Sequence, residues 1–132
     1  MTPPRLTLLV RPWQLAVCRF PADSPLPAWV FHAEVEFWSV TRTPAELSVV
    51  CAEADLPPSV SEHVERDWRA FELVGPIPFT TTGVISGLTA PLAAAGIPVF
   101  IVSTYDTDYL LVKLATFARA RGILAGLFEV VG

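Results

Sequence analysis

Apolar and polar positions alternate along this chain in short blocks, and the blocks predict a run of strands broken by two helices. Leu6 to Val10 and Gln14 to Phe20 read as strands with a break at Pro12. Pro21 to Pro27 carries three prolines with Asp23 and Ser24, so it reads as an irregular connection. Ala28 to Ala33 fits a short helical turn or a loop segment. Glu36 to Thr41 alternates, Thr43-Pro44-Ala45-Glu46 turns the chain, and Leu47 to Cys51 returns as a strand. Pro57-Pro58 and the polar stretch Ser59 to Arg66 predict a boundary with a solvated helix or linker.

The second half repeats the alternation with clearer helices. Asp67 to Val74 predicts a strand, and Gly75-Pro76-Ile77-Pro78 bends the chain. Thr80-Thr81-Thr82-Gly83 then offers a helix start with threonine caps. Val84, Ile85, Leu88 and Leu92 fall at helical spacing for one buried face. Pro91 predicts a kink or restart, and Gly96 a C-terminal cap. Val99 to Val102 and Tyr109 to Val112 read as two strands of a hairpin whose polar tip is Ser103 to Asp108. Leu114 to Arg121, closed by Gly122 with Arg119 and Arg121 near its end, reads as a second helix. Leu127 to Val131 would be the final strand. This half reads β-α-β-β-α-β, a ferredoxin-like arrangement of the α/β (α+β) class.

Self-similarity extends the pattern to the first half. Ser39 to Val50 and Val102 to Val112 match with one gap, setting Thr41 on Thr104, Glu46 on Asp108 and Val50 on Val112. The expected organisation is an incomplete copy over 1–60 and a complete one over 61–132, the two packed together. Pro21 to Pro27 stands where the first copy needs its first helix, which argues against an equivalent ligand site there.

Composition narrows the function. At 132 residues with 52% hydrophobic content, the chain has ample apolar surface to bury. A net charge of −4 and a single lysine, Lys113, leave no basic stripe for nucleic acid. No apolar run reaches the roughly 20 residues that span a bilayer. The N-terminal stretch lacks a secretory pattern, so the cytoplasm is the expected compartment. Cys18 and Cys51 each lie in a Val-rich run and read as buried thiols rather than a disulfide framework. His32 and His63 have no ligand-spaced partner, so no metal site is expected, and no cofactor. No phosphate loop with its Lys-Ser/Thr pair and no Gly-x-Ser-x-Gly elbow appears. Catalysis is not expected.

The candidate chemistry collects in two stretches. Gly83, Val84 and Ile85 open a helix whose free N–H groups and partial positive charge suit a carboxylate. Ser103, Thr104, Asp106 and Asp108 place hydroxyls and carboxylates at a hairpin tip that suits an ammonium group. Side by side they describe a site for a free α-amino acid. The competing reading is a turn that satisfies its own backbone and a helix start that only packs closely. Arg42, in the turn between the first two hairpin strands, could pair with a carboxylate bidentately, but a solvated surface arginine is the favoured reading.

The same residues carry a family likeness. Gly75-Pro76-Ile77-Pro78-Phe79, Thr82-Gly83-Val84-Ile85, Ala95-Gly96-Ile97-Pro98-Val99-Phe100 and Ser103 to Lys113 together resemble an ACT domain. Leu15 to Arg19 and Phe37 to Cys51 extend the likeness into the first half. More narrowly, the chain is similar to small tandem-ACT proteins related to aspartokinase regulatory domains and to CASTOR-type arginine sensors. The resemblance implies a non-catalytic module that binds an amino acid at an interface between two ACT units, within a chain or in a homodimer. Output would pass through a regulated partner protein. The alternative is a structural or dimerisation module that has kept the fold and lost the ligand.

Overall fold

The computed structural model describes residues 5–32 and 36–132, excluding the His32 side chain. They form eight strands and two α-helices, a mixed α+β architecture grouped into two compact units. The first unit is Trp13–Trp68. Its strand β2 (Leu15–Phe20) pairs antiparallel with β4 (Leu47–Ala52), and β4 with β3 (Ser39–Arg42). β5 (Val64–Leu73) runs across the unit boundary, and its first residues pair with β2, Cys18 opposite Val64 and Leu15 opposite Trp68. The register shifts between Leu15 and Val17. There Asp67 takes φ of 66°, a conformation that Asp tolerates better than most residues. Its N–H donates to Glu53 Oε1 (2.9 Å), and Gln14 Nε2 donates to the same glutamate (2.6 Å).

Strand β5 thus begins three residues before the expected Asp67; of the polar stretch before it, Ser59 to His63 is irregular connection and Val64 to Arg66 is strand. Glu65, Arg66 and Asp67 are exposed on a strand, because backbone pairing with β2 outweighs their polar composition. A 3-10 helix, Ala28–His32, takes the helical of the two readings for that segment, whose last residue, Ala33, lies outside the described residues. Val30 from it joins Ala16, Cys18, Val49 and Cys51 in the unit's buried cluster.

The second unit is Arg69–Gly132 together with the N-terminal strand β1 (Thr7–Val10). Its strands run β8-β1-β5-β7-β6, with β6 Val99–Ser103, β7 Asp108–Lys113 and β8 Glu129–Val131. β1 lies antiparallel to β5, Leu8 opposite Leu73, and parallel to β8, Leu8 opposite Val130. Strand β1 is therefore inserted beside β5, and this unit is built from two separate stretches of the chain. Nothing in the local pattern of Leu6 to Val10 specifies which strands will receive it. Helices α1 (Val84–Ala94) and α2 (Leu114–Ala125) supply Leu88, Leu92, Ala120 and Leu124 to a core with Leu8, Phe71, Leu73, Leu110 and Val112.

Both helices depart from their expected details. α1 is capped at its start by Gly83 at φ of 79°, with no side-chain cap bond, so the threonines do not cap it. It continues through Pro91. The proline withholds one helical N–H, and the burial of Leu88 and Leu92 on either side holds the run together. Ile85 is 39% exposed instead of buried. α2 runs past Gly122 to Ala125, because Leu124 must reach the core. Arg119 does not serve its own helix end; it donates to the carbonyl of Ala95, the C-cap of α1. Among the described residues no helix is long and apolar enough to cross a membrane.

Gly96 does end α1. Ile97 N–H donates to Leu92 C=O (2.9 Å) and Gly96 N–H to Ala93 C=O (3.0 Å), the paired bonds of a Schellman motif. Gly96 sits at φ of 73°, where a Cβ is strained although space around it is open. Gly96→Ala is expected to cost about 1–2 kcal/mol, read as a lower urea midpoint at unchanged slope. No measurable loss would show that the cap geometry is not needed.

Candidate functional site

The hairpin tip is built by register. β6 and β7 pair from Val99–Val112 to Ser103–Asp108, which leaves Thr104 to Thr107 as the turn. Thr104 N–H donates to Thr107 C=O (2.8 Å), and Thr107 N–H donates back to Thr104 Oγ1 (3.3 Å). Ser103 Oγ donates to Asp108 Oδ1 at 2.5 Å. That bond orients the carboxylate and occupies one of its oxygens. The hydroxyl of Thr107 donates to Leu73 C=O (2.6 Å), and Ile77 N–H donates to Asp106 C=O (2.7 Å). The tip is therefore tied to the Gly75-Pro76 bend that leads into α1.

The opposite wall is the start of α1. Its first helical bond runs from Gly87 N–H to Gly83 C=O (2.9 Å), so the N–H groups ahead of Gly87 have no helical acceptor. Ser86 Oγ donates to Gly83 C=O (3.1 Å), leaving the helix donors open.

Between the two walls lies a cavity of about 610 Å³. Its lining contains every residue expected from the sequence: Gly83, Val84 and Ile85 on one side, Ser103, Thr104, Asp106 and Asp108 on the other. Asp106 and Asp108 are the charged side chains in that lining, which holds no Lys, Arg or His. On β7 itself, burial first and then the Glu72 carboxylate raise the Tyr109 phenol, so it stays neutral and adds no charge. Ile77, Pro78, Phe79, Thr81, Ser86, Thr89, Tyr105 and Thr107 line the cavity too and were not singled out from sequence. Phe79 and Tyr105 meet edge to face at 4.8 Å, and they are 73% and 81% exposed. Two large aromatics flanking the bend and the tip were the available signal, though sequence gave no means of bringing them together.

The first unit builds a hairpin of the same shape with different chemistry. Thr43 N–H donates to Glu46 C=O (2.8 Å), and Thr43 Oγ1 accepts from Ala45 and Glu46 N–H (3.1 Å each). Thr43 is thus the counterpart of Thr104, and the paired residues Arg42 and Leu47 stand where the other hairpin has Ser103 and Asp108. The sequence match that set Thr41 on Thr104 and Glu46 on Asp108 is out of step, because it followed identities rather than the turn's hydrogen bonds. Arg42 is not a free surface arginine either. Its guanidinium donates to the carbonyls of Ala22 and Ser24, the latter at 2.6 Å, and ties down the proline-rich connection.

Helix start, hairpin and cavity all belong to one β-α-β-β-α-β unit, the ferredoxin-like arrangement. Residues 63–126 match the family model for the ACT domain, and 14–59 match a separate model for an N-terminal domain. Residues 63–126 thus form an ACT domain. It is 33% identical to protein Atu0741 from Agrobacterium tumefaciens, covering 98% of this chain and 94% of that one with a TM-score of 0.86. The human protein CASTOR3P is 33% identical over 90 residues, 58% of this chain and 54% of the relative. The chain thus spans about half the length of that curated relative. The regulatory subunit of aspartate kinase from Thermus thermophilus, in ligand-free form, shares the fold at 17% identity, with 88% and 92% coverage and a TM-score of 0.59.

Proposed function

We propose that this chain is a cytoplasmic, non-catalytic regulatory module that binds a free amino acid in the cavity between α1 and the β6–β7 hairpin. The α-carboxylate meets the open N–H groups at Gly83, Val84 and Ile85, where the helix dipole favours negative charge. The α-ammonium meets the second oxygen of Asp108, with Ser103 and Thr104 as hydroxyl partners and Asp106 at the outer rim. One observation carries the reading: unsatisfied helix donors and two carboxylates line the same cavity, with no cationic side chain among them. The ligand acts by favouring one packing of an ACT unit against another, in a homodimer that signals to a regulated protein. Trp13–Trp68 serves as a second ACT-like subdomain without an equivalent site, since Arg42 and Leu47 replace the serine–aspartate pair.

A thermal-shift screen against the twenty amino acids tests this. At a hundred times its dissociation constant a true ligand stabilises by about 2.7 kcal/mol, a shift of several degrees. Asp108→Ala should weaken that ligand at least about tenfold, since a charge-assisted bond contributes about 1.5–3 kcal/mol. No shift with any amino acid would favour the second reading, a dimerisation module. The exposure of Phe79 and Tyr105 supports that alternative.

A further inference from the structure

We infer that Phe79 and Tyr105 are the specificity-determining residues of the cavity and that they select an amino acid with an aromatic side chain. The inference rests on the amino-acid reading of that cavity and adds the class of side chain it takes. The two rings belong to different walls, one on the bend before α1 and one on the tip of the β6–β7 hairpin. They meet edge to face at 4.8 Å, and among the described residues they are the two most exposed large hydrophobic side chains. Neither belongs to the buried core, so folding gives no reason for two such rings to face a cavity together. Their backbones are held. Phe79 lies in a turn closed by Thr81 N–H to Pro78 C=O (2.9 Å), and Tyr105 in one closed by Thr104 N–H to Thr107 C=O (2.8 Å). Ile77 N–H to Asp106 C=O (2.7 Å) ties the two turns together, so the rings are preorganised for a ligand.

With the α-carboxylate at the start of α1 and the α-ammonium at Asp108, the ligand side chain is what remains to cover the rings. A third ring packed on an exposed aromatic face gains attraction beyond the apolar area it covers, and it has few torsions to freeze. An aliphatic side chain gains the area alone. A cationic side chain would reach for Asp106, but that carboxylate and both rings are exposed. Ion pairs and cation–π contacts in such places are screened and weak. Acidic side chains are repelled, because Asp106 and Asp108 stand in a lining with no Lys, Arg or His. A cavity of about 610 Å³ has room for the largest of these side chains. The order of preference is therefore aromatic, aliphatic, cationic, acidic.

Isothermal titration calorimetry of the full chain with L-phenylalanine, L-leucine, L-lysine and L-aspartate tests that order. L-Phenylalanine should bind about tenfold tighter than L-leucine, and L-aspartate should give no heat of binding. Phe79→Ala and Tyr105→Ala should each bring the phenylalanine and leucine affinities to within about threefold of one another. Their melting temperatures should stay at the unsubstituted value, because both rings are exposed. Tyr105→Phe should keep the preference. If L-leucine, L-lysine or L-aspartate binds tightest, or if both alanine variants keep the preference, the inference fails while the amino-acid reading stands. If none of the four binds, the inference also fails, and the screen of all twenty amino acids judges the wider reading separately. A loss of self-association in the double alanine variant would then mark the rings as contacts between copies.

Discussion

Phe71→Ala is expected to cost the fold about 3–5 kcal/mol, the largest effect of any single truncation considered for this chain. Phe71 is fully buried near the end of β5, and its ring stacks on Phe117 of α2 at 5.1 Å and 17°. Arg69 lies over the other partner, 5.0 Å from the Phe117 centroid, and donates to Arg11 C=O at 3.0 Å. Removing the Phe71 ring therefore loses transfer energy, leaves a cavity between sheet and helix, and frees the ring that Arg69 covers. Domains of this size are stable by only about 5–15 kcal/mol. Urea denaturation followed by circular dichroism should show a sharp drop in midpoint or an unfolded chain. A cost under about 1 kcal/mol would mean that α2 does not depend on this packing.

Gly75→Ala is expected to damage the site without touching a proposed ligand contact. A Cβ at Gly75 would lie 2.9 Å from the Asp106 carbonyl oxygen, 3.1 Å from Thr107 Cβ and 3.2 Å from Ile77 N. Two of those atoms are backbone and cannot rotate away. The tip must move, and the Ile77–Asp106 and Thr107–Leu73 bonds that hold it at the bend weaken together. Overpacking of this kind costs about 1–3 kcal/mol. Any amino acid found by thermal shift should bind much more weakly to the variant, because Asp108 and the α1 start no longer face each other at the same spacing. Unchanged affinity with lowered stability would separate the bend from the site and remove the hairpin's placement from the binding argument.

Much of the second unit was legible in the chain. The hairpin register follows from apolar runs flanking a tip whose Ser, Thr and Asp residues bond their own backbone. The Gly96 cap follows from the need for positive φ after a helix. The part of the cavity lining at Ser103–Asp108 and at Gly83 was legible because chemistry and turn signals coincide there. Less legible were positions where tertiary burial or pairing overrides local preference. Glu65 and Arg66 became strand because β2 offered unpaired backbone. Thr80 to Thr82 offered caps that the helix did not take, since Gly83 reached the left-handed conformation at no steric cost. Gly122 failed to stop α2 because Leu124 had core to reach.

The amino-acid sequence by itself determined the element types, the hairpin geometry and the chemical character of the two cavity walls, because these depend on residues a few positions apart. Tertiary structure alone decided that β1 inserts between β5 and β8, that Arg119 caps the other helix, and that Phe79 meets Tyr105. Those outcomes join residues far apart in the chain, and several burial arrangements satisfy the same local pattern. Only the complete core, packed without voids, selects one of them.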